Sequence, residues 1–144
     1  MNEDREFLKL AYQIAEKSCC KKKKVGCLIV WENKIVSSGY NCIIDHHFNC
    51  AAEECHQGFA DKCLMVIHAE QNAIVEAVKK NVDFVKATLF ISLSPCLSCA
   101  RLIHGFGIKK IVFAEKFSDY KKNEEDFGLL FLKNLNIEIR QVIL

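Results

Sequence analysis

His68 and Glu70 open the segment "IHAEQNAI" (67–74), which otherwise reads as the start of an amphipathic helix. Further along, Pro95-Cys96-Leu97-Ser98-Cys99 is a proline-led C-x-x-C. Residues three apart share a helix face, so both sulfurs can reach one point. Alone, the pair reads three ways: a redox dithiol, half of a zinc site, or two buried cysteines. A lone histidine is most often structural, and a glutamate at a helix start ordinarily complements the dipole. Together the residues say more. His68 offers a borderline-soft nitrogen and Cys96 and Cys99 offer two thiolates. Three protein ligands with one open position is the arrangement of a catalytic zinc, whereas four close a structural one. Such an ion lowers the pKa of water to about 7 in favourable sites. Glu70, a hard carboxylate beside soft ligands, suits proton transfer better than ligation.

Those side chains need elements to carry them. Apolar Phe7, Leu8, Ala11, Ile14 and Ala15 predict a helix over residues 4–18. "VGCLIVW" (25–31) and "KIVSSGYN" (34–41) predict a hairpin around Glu32-Asn33. Residues 42–67 have no clear period and are rich in Cys and His. A helix over 68–80 follows, with Ala69, Ala73, Ile74, Ala77 and Val78 on one side. A strand over 87–93, a helix over 95–104 with Pro95 in its first turn, and a strand over 108–114 come next. A helix over 124–134 and a strand over 137–143 complete the order α-β-β-α-β-α-β-α-β. The hairpin is antiparallel, and the strands separated by helices are parallel. The expected fold class is α/β, a three-layer sandwich with a five-stranded mixed sheet and helices on both faces. The expected organisation is one domain, 1–144, with a Cys/His-rich insert at about 42–67. Both chemical motifs fall at helix starts, after apolar runs ending at Ile67 and Leu93. Side by side on the sheet, those starts would converge their unpaired N–H groups and positive dipole ends, a field that favours thiolate.

Composition narrows the setting. The 144 residues are 51% apolar and 26% charged, enough for a sizeable core. A net charge of +2 is too small to signal nucleic-acid binding. The run Lys21–Lys24 reads first as a solvated loop and second as a phosphate patch. No apolar run approaches the about 20 residues a membrane helix needs, so no membrane partner is expected. "MNEDREFLKLAYQIAEK" lacks the basic start and continuous apolar stretch of a signal peptide, which makes the cytoplasm the expected location. There the nine cysteines, at 19, 20, 27, 42, 50, 55, 63, 96 and 99, point to metal or chemistry rather than disulfides.

The pattern H-x-E…P-C-x-x-C matches the signature of zinc nucleobase deaminases, in which the glutamate moves protons as water displaces ammonia. With "KKVGCLIV", "SSGYN", "LSPCLSCARLI", "GIKKIVF" and the tail "LLFLKNLNIEIR", the chain resembles the deoxycytidylate (dCMP) deaminase family over nearly its whole length. The resemblance implies a cytidine deaminase-like sandwich, hydrolysis of dCMP to dUMP and ammonia, and a homo-oligomer, hexamer or dimer. It places catalytic zinc on His68, Cys96 and Cys99 and the proton shuttle on Glu70. Asn41 would bond the sugar, the Ser94 carbonyl would take the base's amino group, and Phe117 or Tyr120 would pack near base or sugar. For Phe117 a plain core role is an equal reading. Some family members carry a second, structural zinc. Here its ligands would be Cys20, Cys50, Cys55 and Cys63, with His47, His56 and Cys42 as substitutes; Cys19 and Cys27 would be free. Binding there would supply folding energy to an insert poor in apolar residues. Cys42-Ile43-Ile44 replaces the glycine that follows "GYN" in the family, and Lys79 stands where relatives carry arginine. The first change bears on regulation by dCTP and dTTP. Two other readings remain open: a tRNA adenosine or riboflavin-precursor deaminase, relatives of which usually lack the cysteine insert, and a non-catalytic zinc module for assembly or DNA uptake, for which Glu70 would be superfluous.

Overall fold

The computed structural model describes residues 2–43, 66–120 and 126–144. It begins with helix α1 (Asn2–Ala15), whose acidic first turn, Glu3 and Asp4, complements the helix dipole. The predicted end at residue 18 is not reached. Lys17 and Ser18 bond back three residues, to Ile14 and Ala15, which tightens and ends the last turn. The Ser18 hydroxyl then turns to the Asn41 carbonyl (2.7 Å).

Strands β1 (Gly26–Trp31) and β2 (Lys34–Tyr40) form the predicted antiparallel hairpin. Glu32 and Asn33 both take positive φ, 48° and 61°, the turn whose twist matches that of the flanking strands. A second, two-stranded ribbon pairs β3 (Cys42–Ile43) with β4 (Val66–Ile67) and delivers the chain to His68. Two residues per strand show no periodicity, so the sequence predicted neither. Helix α2 (Ala69–Lys79), β5 (Thr88–Leu93), α3 (Leu97–Gly105) and β6 (Lys110–Glu115) follow. A single turn α4 (Phe117–Tyr120), α5 (Phe127–Lys133) and β7 (Glu138–Gln141) end the order.

The five-stranded sheet runs β2-β1-β5-β6-β7, with β5, β6 and β7 parallel and the β2-β1-β5 pairings antiparallel. This is the expected mixed sheet, with helices on both faces. Strand alternation sorts its side chains. Leu28, Val30, Phe90, Val112 and Ala114 face α1 through Leu8 and Ala11. Cys27, Ile29, Leu89, Ile91, Ile111 and Phe113 pack with Ala73, Ile74 and Ala77 of α2, Ile103 of α3, and Leu129 and Leu132 of α5. Parallel crossovers share one hand, so α3 and α5 fall on the same face. Each fully buried Leu, Ile or Phe contributes about 1.5–3 kcal/mol by leaving water.

The start of α3 corrects a second expectation. Pro95 lies before the helix, not in its first turn, and Cys96 is the N-cap. The Ser94 amide bonds the Glu115 carbonyl (2.8 Å), which carries the β5–β6 ladder one residue further. The chain therefore reaches Pro95 still extended and turns only at Cys96. Among the described residues, no helix is long and apolar enough to cross a membrane.

Candidate metal centre

His68 is the N-cap of α2, with extended backbone (φ −72°, ψ 155°). Its amide donates to Gln71 Oε1 (2.8 Å), and its carbonyl takes the Asn72 amide (3.1 Å). Both backbone groups are thus engaged within the first turn, leaving the imidazole to project from it. Three contacts hold this turn on the sheet. Asn72 donates to the Tyr40 carbonyl (2.8 Å), Ser37 donates to the Ala73 carbonyl (2.8 Å), and Gly39 meets the helix backbone. A Cβ at Gly39 would sit 2.3 Å from the Ala69 carbonyl oxygen, so only glycine allows this approach.

Cys96 caps α3 in the same extended conformation (φ −66°, ψ 168°), and Cys99 lies one turn inside, fully buried. Two helix starts therefore present their first side chains to one point. His68 Nδ1 is 3.5 Å from Cys96 Sγ and 3.3 Å from Cys99 Sγ. The three donor atoms lie within 4.8 Å of one another. A tetrahedral zinc with ordinary Zn–N and Zn–S bonds needs N···S separations of about 3.6 Å. The donor set fits zinc both in spacing and in its one-nitrogen, two-sulfur chemistry.

The electrostatics divide the two sulfurs. The Cys99 thiol donates to Cys96, which, with help from His68 and against burial, pulls the Cys96 thiol down to about 4. The same hydrogen bond, with burial, pushes Cys99 up. His68 is raised, first by its hydrogen bond with Cys96. Glu70 lies two residues along α2 and is 4% exposed. Burial pushes its carboxyl up to about 7, although a hydrogen bond from its own amide pulls the other way.

Ser94 is buried at the end of β5. Its hydroxyl accepts from the Phe117 amide (2.7 Å) and donates to Asp126 Oδ2 (2.5 Å). Phe117, at the start of α4, is half-buried. Asn41 is buried, and its amide clamps the loop before β1, accepting from the Val25 amide (2.8 Å) and donating to the Lys23 carbonyl (2.8 Å). The Tyr120 side chain lies outside the described residues, as do Cys50, Cys55 and Cys63. Cys20 is half-buried, with its amide on the Ser18 hydroxyl (3.1 Å).

Sequence reasoning missed several supporting residues. Gln71, three residues after an N-cap, carries a capping-box signal that was legible. Asp126 also has a signal, an acid immediately before an apolar run, and it accepts from the Leu129 amide (3.0 Å) as the N-cap of α5. Gly128 has none: its Cβ would sit 1.8 Å from the Pro95 carbonyl oxygen, a contact between residues over thirty apart.

Comparison with known proteins agrees with this geometry. A family model of the cytidine and deoxycytidylate deaminase zinc-binding region matches residues 1–115. The chain is 38% identical to the deoxycytidylate deaminase of Saccharomyces cerevisiae over 144 residues, covering 96% of this chain but 44% of that protein. It is 30% identical to the deoxycytidylate deaminase of Enterobacteria phage T4, covering 94% of this chain and 87% of that one. Among solved structures, a dCMP deaminase from the cyanophage S-TIM5 in complex with dCMP and dUMP superposes with a TM-score of 0.77 at 27% identity, covering 96% and 95% of the two chains.

Proposed function

The chain belongs to the cytidine and deoxycytidylate deaminase zinc-binding family, and from that premise we propose that it hydrolyses dCMP to dUMP and ammonia. The observation that carries the reading is the meeting of His68, Cys96 and Cys99 with the buried Glu70 beside them. Those three residues would hold zinc, which supplies Lewis-acid activation of a water nucleophile when bound. Glu70 does the proton work. Its carboxyl is buried beside the three donors and within reach of what they would hold, so it can take a proton there and return it. It takes the proton from the water that attacks C4 of the cytosine ring, passes it to N3, and assists departure of the amino group as ammonia. Water is consumed and one C–N bond is exchanged for C–O, with no redox change. The Ser94 carbonyl orients the departing amino group, and Phe117 and Tyr120 pack near base or sugar. The Asn41 amide, with one donor and one acceptor site engaged in the loop clamp, has one of each left for the sugar.

Residues 1–144 act as one deaminase domain with an insert, and Cys20, Cys50, Cys55 and Cys63 take a second, structural zinc. The chain acts in the cytoplasm as a homo-oligomer, and association is supported by an exposed apolar strip along α2 and the end of α3, where Val75, Val78 and Phe106 stand open beside Ile74 and Leu102.

The test is ammonia release across a nucleotide panel with tRNA adenosine as competitor, each with and without dCTP and dTTP. dCMP is expected to react fastest. Deamination of tRNA adenosine with dCMP untouched would overturn the assignment.

A further inference from the structure

The bridge Ser94-Pro95-Cys96 joins β5 to α3 and carries both a proposed zinc ligand and a proposed substrate contact. Two elements far along the chain hold it. The first is the start of α5. Asp126 Oδ1 accepts from the Leu129 amide (3.0 Å), which is all a helix N-cap needs. Its other oxygen, Oδ2, accepts the Ser94 hydroxyl proton (2.5 Å). Gly128, in the first turn of α5, lies directly on the Pro95–Cys96 peptide, with its would-be Cβ 3.0 Å from the Cys96 carbonyl carbon. The second is the start of α4, where the Phe117 amide donates to the same Ser94 hydroxyl (2.7 Å). A hydroxyl has one proton, and the acceptor that takes it fixes which way the lone pairs face. Asp126 therefore sets the direction from which Phe117 can bond.

We infer that Asp126 is a positioning residue of the metal centre, which through the Ser94 hydroxyl fixes both the Cys96 ligand and the backbone of Phe117. The inference rests on the proposed function for the identity of the metal and substrate. It goes beyond that reading in tying α5, which carries none of the proposed site residues, to the geometry of both. A capping role alone would be met by any residue with one side-chain acceptor. The second oxygen is what distinguishes Asp126, and its partner is a buried side chain two residues from a ligand, the kind of outer contact that orients metal ligands.

Asp126→Asn separates the two roles. Its amide oxygen still caps α5, while its NH₂ cannot accept the Ser94 proton. The probe is the whole protein loaded with Co²⁺, whose thiolate charge-transfer and ligand-field bands report ligand geometry, together with the rate at which zinc passes to a chelator. Relative to wild type, Asp126→Asn is expected to shift the bands and release zinc about tenfold faster, with a raised KM for dCMP and an unfolding midpoint lowered no more than in Ser94→Ala. Ser94→Ala cuts the same hydrogen bond from the other end, and the double variant is expected to be no worse than Ser94→Ala alone. Wild-type bands and release rate in Asp126→Asn would overturn the inference. If that variant does not fold, the same result in Ser94→Ala overturns it. A wild-type protein with no cobalt–thiolate band would instead defeat the zinc reading, and this inference with it.

Discussion

The two helix starts that meet at the centre are built differently. At the start of α2 the backbone of His68 is held from within, by Gln71 and Asn72 three and four residues on, while β2 holds the turn to the sheet through Tyr40, Ser37 and Gly39. The start of α3 is braced from outside. Ser94 leans on Glu115, Phe117 and Asp126, and Gly128 covers the Pro95–Cys96 peptide. The backbone of His68 thus depends on its own turn, and that of Cys96 on elements that arrive more than twenty and more than thirty residues later. The starts also divide the chemistry. Under the proposed function that of α2 would carry one ligand and the proton carrier, and that of α3 only ligands.

The sharpest way to break this division is Glu70→Gln. The amide keeps the volume and leaves the three ligands untouched, so zinc content measured by metal analysis should equal that of wild type. Ammonia release from dCMP should fall by about 10²- to 10⁴-fold, the range for losing a general acid–base. If zinc is lost with the activity, Glu70 supports the ligands and the two starts are not functionally distinct.

The same difference explains what was legible. The spacings i, i+2 of His68 and Glu70 and i, i+3 of Cys96 and Cys99 are local information, so both motifs could be read before any fold was known. The continuous apolar run of β5 likewise marks a buried strand. What escaped was non-local or too short. Cys96 rather than a proline turn begins α3 because Ser94 pairs with Glu115, twenty-one residues away. The β3–β4 ribbon and α4 have two residues per strand and one turn, too few for any period. Asn41 has a structural role beside the sugar contact that the resemblance implies. The structure engages its amide in holding Lys23 and Val25 in place, a role for which its neighbours offer no pattern.

Two glycines let the comparison be tested at matched positions. An alanine Cβ at Gly39 would meet the Ala69 carbonyl oxygen at 2.3 Å and the Ala73 nitrogen at 2.5 Å. At Gly128 it would meet the Pro95 carbonyl oxygen at 1.8 Å. Both obstacles are backbone, which cannot swing aside, so Gly39→Ala and Gly128→Ala should each destabilise by about 2 kcal/mol in urea unfolding. Their effects on the metal should differ. Gly128→Ala pushes on the peptide that carries Cys96 and should speed zinc release to a chelator. Gly39→Ala pushes on α2 beyond His68, whose backbone is held by Gln71 and Asn72, and should leave release closer to wild type. Equal acceleration in both would erase the distinction between local and remote bracing.

The smallest effect concerns acid. Glu115, whose carbonyl takes the Ser94 amide, also fastens the α3 start to the opposite face of the sheet. Its carboxylate accepts from Tyr12 of α1 (2.5 Å) and from Lys23 (2.7 Å). Partial burial raises its pKa, but the Lys23 and Tyr12 hydrogen bonds outweigh that and leave it below the ordinary 4.5. A carboxyl with a lowered folded pKa contributes stability that is present above the unfolded value and is lost as pH falls through the folded one. The stability gap between wild type and Glu115→Gln should therefore be full near pH 6 and shrink below about pH 4.5. Lys23 and Glu115 are both partly in water, which keeps the gap under about 1 kcal/mol. No such carboxylate–lysine pair ties the α2 start to the sheet among the described residues. On acidification, amide exchange should thus rise at Cys96–Ala100 before it rises at Ala69–Ala73. Simultaneous loss of protection would mean that Glu115 stabilises the fold as a whole and does not brace the α3 start in particular.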